Sequence, residues 1–120
     1  MPKQKVIFTP YPRPLDMIMS QEDLERLHNL VDVIWGQDGE MPEESLAKVR
    51  GEAYAIVGTR WQHGSLDDMP NLRVIMETGG RHPTPKALDY ETCFKRGIRV
   101  LSCAPAYGPM VAEMALGMVI

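Results

Sequence analysis

An α/β domain built on a parallel sheet is what this sequence predicts, and three observations carry the prediction. Short apolar runs rich in β-formers recur along the chain, helical or polar stretches separate them, and each connection is long enough for a crossover between parallel strands. Val6-Ile7-Phe8-Thr9 is the first run, and Tyr11-Pro12-Arg13-Pro14 stops it, because proline removes backbone donors and fixes φ. Ser20, followed three residues on by Asp23, resembles a capping box; Leu24, Leu27, Leu30 and Val31 then recur on one helical face, which predicts an amphipathic helix from about Gln21. Val31-Asp32-Val33-Ile34-Trp35 is the second strand, closed by the turn residues at 36–39. Pro42 can take the first position of a short helix running to Val49, with Gly51 ending it. Strands are predicted at 53–58 and 72–76, with a polar crossover containing Ser65-Leu66-Asp67-Asp68 between them. A helix over about 86–96 follows the loop after Gly79-Gly80 and stops at Gly97, and Ile98-Arg99-Val100-Leu101 is the fifth strand. Five strands so arranged fit a flavodoxin-like parallel sheet with helices on both faces.

Composition sets the outer limits. The 120 residues, 44% apolar and 24% charged, make one globular domain, too short for a catalytic domain plus a separate cofactor domain. A net charge of -3, with the 13 Lys and Arg scattered, offers no cationic field to a nucleic acid. Cys93 and Cys103 form no Cys-x-x-Cys pair, so free thiols in a reducing, cytoplasmic setting are expected. No run approaches the length of a membrane span, and Val6-Ile7-Phe8 is too short for a signal-peptide core. Residues 110–120 hold a single charge, Glu113, so the last helix expects burial on nearly every side; nothing caps it. Either a dimer partner covers this helix or the chain is cut inside a domain.

In an open parallel sheet, ligands gather outside the carboxyl ends of the strands, which points to 9–14, 58–63, 78–85 and 102–109. At Thr78-Gly79-Gly80 two adjacent glycines let backbone N–H groups approach an anion, or serve only the dihedrals of a tight turn. Arg81 offers bidentate pairing to a carboxylate, or a solvated charge. Thr59, Arg60 and Trp61 bring a hydroxyl, a guanidinium and an apolar plate to the same crevice, with packing of Trp61 over the sheet as the plainer account. His28 reads as surface, and His63 and His82 as crevice residues without a partner carboxylate, so no metal site and no general base is assigned. Cys103 reads as a small buried thiol, and Met110, Met114 and Met118 as one packing stripe of the last helix.

Arg96-Gly97-Ile98-Arg99-Val100, then Ala104-Pro105, then Val111-Ala112-Glu113 resembles the D-isomer-specific 2-hydroxyacid dehydrogenases, NAD(P)-dependent enzymes. Gly97, Ile98, Val100, Val111, Ala112 and Glu113 match that family's pattern in register, and Ala104-Pro105 stands in place of its Pro-Gly turn. Upstream, the stretch from Asn71 to Gly79 resembles its strand and Gly-x-Gly loop, with Arg81 in place of the second loop glycine; Leu88-Asp89 with Glu91 resembles its Ile-Asp-x-Glu. The resemblance implies a substrate domain over 1–107 that lacks its closing helix, and the start of an interdomain and dimerisation helix over 108–120. The cofactor domain is then absent, as is any Gly-x-Gly-x-x-Gly turn. It further implies that Gly79 and Gly80 face the carboxylate of a small 2-hydroxy or 2-oxo acid, with Tyr107 at the cleft. The catalytic Arg, Glu and His fall beyond this sequence. NAD or NADP then serves the parent enzyme, and the 120 residues alone bind no cofactor and turn nothing over. The alternative is a non-catalytic module that binds a small carboxylate or a partner protein and dimerises through its last helix. A receiver domain is excluded, because neither Thr9-Pro10 nor Gly58-Thr59 supplies the acids it needs.

Overall fold

The computed structural model describes residues 2–59 and 61–119. Its strands are β1 (Lys5–Thr9), β2 (Asp32–Trp35), β3 (Ala55–Gly58), β4 (Val74–Glu77) and β5 (Arg99–Ser102). All neighbours pair in parallel, in the order β2-β1-β3-β4-β5, so the predicted five-stranded flavodoxin-like sheet is present. The helices are α1 (Leu15–Ile18), α2 (Gln21–Leu30), α3 (Glu43–Val49), α4 (Tyr90–Arg96) and α5 (Ala104–Val119), with 3₁₀ turns at Arg50–Glu52 and Leu66–Asp68.

Strand register explains the core. Ile34, Ile7, Ile56, Ile75 and Val100 are aligned across the sheet, one residue from each strand. Because successive side chains of a strand alternate faces, this row presents one β-branched stripe to one side. Leu46 of α3, Cys93 of α4, and Leu66, Met69, Leu72 and Leu88 from the connections bury themselves with it. The opposite face is more thinly covered. Phe8 is fully buried there, but Met76 and Leu101, paired in register, stay partly exposed, and α2 contributes no buried residue.

Local chemistry sets most element ends. The Ser20 side chain accepts the Asp23 N–H at 3.1 Å, so α2 opens at Gln21 as expected; its Leu24 and Leu27 are half-buried, while Leu30 is exposed. Pro42 lies one place before the helix rather than inside it, and Gly51 sits within a 3₁₀ turn rather than ending α3. The helix expected from residue 86 begins at Tyr90. Asp89 accepts both the Thr92 N–H (3.1 Å) and the Thr92 hydroxyl (2.7 Å), fixing the start there, while Leu88 turns into the core. At the other end Gly97 takes a left-handed φ of 70°, and its N–H closes α4. Arg96 clamps the crossover by donating to the Leu66 and Met69 carbonyls at 2.8 and 2.6 Å. The last helix starts at Ala104, earlier than the charge pattern alone indicates, because Ser102 Oγ accepts the Ala104 N–H and Pro105 falls in the first turn, where its missing donor costs nothing. Cys103 is half-buried rather than buried, and Cys93 is the enclosed thiol.

Candidate functional site

At the carboxyl ends of the strands, the loops after β1, β3, β4 and β5 are tied to one another. Thr59 Oγ1 lies 3.2 Å from Thr78 Oγ1 and 3.4 Å from the Pro10 carbonyl, joining three loops through one hydroxyl. The Thr78 N–H donates to Gly58 O at 2.8 Å, and the Cys103 N–H to Gly79 O at 3.0 Å. Across the mouth, the Arg13 guanidinium donates to the Tyr107 hydroxyl at 3.3 Å, linking the β1 loop to the first turns of α5. Tyr90 hydroxyl donates to the Pro83 carbonyl, pinning the loop that returns from the cleft to α4.

These loops enclose a cleft of about 1010 Å³. Of the residues singled out from the sequence, Thr59, Trp61, Gly79, Gly80, Arg81 and Tyr107 line it together; Thr78 stands behind them, touching Thr59, and Arg60 lies outside the described residues. Arg13, Glu77 and Gln62 line the same cleft and were not singled out. Glu77 ends β4 one residue past the apolar run and reads in sequence as an ordinary strand terminus; strand alternation puts it on the same face as the buried Ile75. It is buried, and its Oε1 accepts the Gly79 N–H at 3.2 Å. A carboxylate therefore already rests on the amide of that loop.

The two loop glycines do not use positive φ. Among the described residues, Gly36, Gly39, Gly64 and Gly97 do. At Gly80 a Cβ would come within 3.4 Å of Tyr107 Cδ2, and at Gly79 within 3.2 Å of Glu77 Oε1, so what these positions require is close approach rather than a special dihedral. Gly58 is tighter still, with Thr9 Oγ1 only 2.7 Å from where a Cβ would stand.

Trp61 is both core and wall. It packs in the buried cluster and meets the His63 ring edge-on, with centroids 4.9 Å apart. Trp61 Nε1 and His63 Nδ1 are buried without a hydrogen-bond partner among the described residues. Burial pushes the His63 pKa down to about 4, and the positive Arg50 adds to this against a smaller opposing effect of Glu43. His63 is therefore a neutral imidazole at pH 7. Among the described residues, no three His, Cys, Asp or Glu are placed to hold a metal ion, and no helix is long and apolar enough to cross a membrane.

No protein-family model matches this sequence, and no curated protein does. Solved structures do. A phosphoglycerate oxidoreductase from Rhizobium etli superposes with a TM-score of 0.68 at 27% identity, over 98% of this chain and 36% of that one. A 2-hydroxyacid dehydrogenase from Ketogulonicigenium vulgare Y25 has 26% identity over 82% of this chain and 29% of its own, with a TM-score of 0.49. The chain thus spans about a third of the length of these neighbours. The likeness to the first of these is consistent with the D-isomer-specific 2-hydroxyacid dehydrogenase family that the motifs at 96–113 resemble.

Proposed function

We propose that this chain forms the substrate-carboxylate side of a D-2-hydroxyacid dehydrogenase, the part that holds a 2-hydroxy or 2-oxo acid while hydride moves to or from its C2. The observation that carries this reading is the loop at Gly79-Gly80. Its Gly79 amide holds a carboxylate, that of Glu77, and the loop opens on a cleft also lined by Arg13 and Arg81. A backbone amide fixes one carboxylate oxygen without a side chain to order, and a guanidinium can take the other. Glu77 competes for the same amide, so the incoming acid binds through the Gly80 N–H and an arginine, or moves the Glu77 side chain aside. Trp61 and Tyr107 supply apolar walls on which the acid's carbon chain rests.

NAD or NADP, in its reduced form, would supply the hydride to a 2-oxo acid and, in its oxidised form, would accept it from a 2-hydroxy acid. The described residues give a dinucleotide no phosphate-binding turn: after Gly80 the chain runs through nine irregular or turn residues before α4 begins at Tyr90, so no helix N-terminus follows the glycines. What these residues do is bind and orient the acid. The chain alone is expected to bind acid and give no turnover with either nucleotide; oxidation of a 2-hydroxy acid by the isolated chain above background would refute the division of labour.

Pairing of two copies through α5 belongs to the same proposal. Met110, Met114 and Met118 form an exposed apolar stripe on a helix that buries none of its own residues. Sedimentation should show a discrete species of two chains that Met114→Lys abolishes; a monomer at every concentration would contradict it.

A further inference from the structure

The turn at Thr78-Gly79 is anchored on both sides by bonds that do not involve Glu77. The Thr78 N–H donates to Gly58 O at 2.8 Å, the Thr78 hydroxyl lies 3.2 Å from that of Thr59, and Gly79 O accepts the Cys103 N–H at 3.0 Å. The Gly79 N–H between these anchors therefore keeps its direction whatever accepts from it. What accepts is Oε1 of Glu77, at 3.2 Å, from a residue only 7% exposed. We propose that Glu77 is an internal stand-in for the ligand's carboxylate, an autoinhibitory contact that an incoming acid displaces, so that this one side chain sets the affinity of the site. This rests on the reading above, in which the acid's carboxylate lies at Gly79-Gly80.

Three features favour displacement over a permanent staple. A ligand carboxylate offers the amide the same kind of acceptor as Glu77 does, so exchanging one for the other leaves the part-buried N–H satisfied in both states. Neither state then carries an orphaned donor. The position is also shaped for a carboxylate: a Cβ at Gly79 would stand 3.2 Å from Oε1, a tighter approach than side chains ordinarily make. The third feature is charge. Arg13 and Arg81 line the same cleft as Glu77; Arg13 donates to the neutral Tyr107 hydroxyl, and among the described residues neither guanidinium is in an ion pair. With the acid bound, two carboxylates share the cleft with these two guanidiniums, so the displaced Glu77 does not face the ligand without cations to offset both. In the resting chain, by contrast, the amide is already taken, and part of the ligand's binding energy goes into removing Glu77 from it.

Oxamate titrations of the 120-residue chain, of Glu77→Ala and of Glu77→Gln, followed by calorimetry and by NMR of ¹³C,¹⁵N-labelled protein, test this. Glu77→Ala should bind oxamate about tenfold more tightly or better, the equivalent of one charge-assisted hydrogen bond that no longer competes. Glu77→Gln, whose neutral amide oxygen still accepts from Gly79, should gain less, about threefold. In the unaltered chain the Glu77 Cδ resonance should move along the same saturation curve as the Gly79 amide, a readout that stands even if the alanine variant does not fold. Equal tightening in the two variants would show that the negative charge alone opposes the acid, and would overturn the displacement. Weaker or unchanged binding in both, or a Glu77 Cδ resonance that stays in place while the Gly79 and Gly80 amides shift, would make Glu77 a fixed staple; that too would overturn the displacement and leave the carboxylate reading standing. No saturable shift at Gly79 and Gly80 in any of the three proteins would overturn the carboxylate reading, and the displacement with it.

Discussion

Replacing His63 with phenylalanine removes from the core a group that titrates near pH 4 in the folded chain and near 6.5 in the unfolded one. The sign follows from proton counting. Above pH 6.5 both states carry a neutral ring, and the group adds no pH dependence. As pH falls below that value the unfolded chain takes up a proton that the buried ring refuses, so stability is lost until about pH 4, where the folded ring also charges. At about 1.36 kcal/mol per pH unit, the interval corresponds to a loss of about 3 kcal/mol, a large share of the roughly 5–15 kcal/mol that holds a domain together. Phenylalanine keeps a ring against Trp61 and removes the partnerless Nδ1, so the variant should fold and should lack this loss. Urea unfolding of both proteins at steps from pH 7 to pH 4 gives the difference directly. The exposed His28 and His82 and all carboxylates are common to both proteins and cancel. Parallel loss of stability in the two proteins across this range would refute the buried neutral histidine.

Other substitutions separate scaffold from site. Arg96→Met removes two charge-assisted bonds to the Leu66 and Met69 carbonyls and should cost about 2–4 kcal/mol in urea unfolding; a change below about 0.5 kcal/mol, the level of an ordinary surface substitution, would contradict the clamp. Gly58→Ala sets a Cβ 2.7 Å from Thr9 Oγ1 and should destabilise by about 1–3 kcal/mol, and Thr9→Ala in the same chain should recover much of it; strict additivity would show that the collision is not the cause. Arg81→Ala should weaken carboxylate binding by about tenfold or more, as loss of a charged hydrogen bond implies, while leaving the unfolding midpoint nearly unchanged. Gly80→Val should act alike on binding, because its branched side chain would press on Tyr107 within the cleft.

The strands were legible because their cues are local: Ile7, Ile56 and Ile75 sit in short β-rich runs, and Gly, Pro and Ser close them. The caps at Ser20 and Gly97 were legible for the same reason, since each needs only a few neighbouring residues. The late start of α4 was not, because the apolar Leu88 reads as helical until tertiary packing draws it into the core ahead of the Asp89 cap. The candidate cleft was legible as a set of loops, through the rule that parallel strands gather ligands at their carboxyl ends. Its electrostatics were not. Glu77 meets the Gly79 amide only because β4 ends one residue later than the apolar run, and Arg13 reaches Tyr107 across 94 positions of sequence. His63 looked like one more crevice histidine, and its depressed pKa arises from burial and from the positive Arg50 thirteen places away, against an opposing effect of Glu43, none of which a local motif reveals.

Titration of the ¹⁵N-labelled chain with oxamate, a compact 2-oxo acid analogue, tests the central claim most directly. Saturable shifts concentrated at the Gly79, Gly80 and Arg81 amides, lost in Gly80→Val, are the result the account predicts. No saturable shift in that loop, or equal small shifts scattered over the whole sheet, would contradict it.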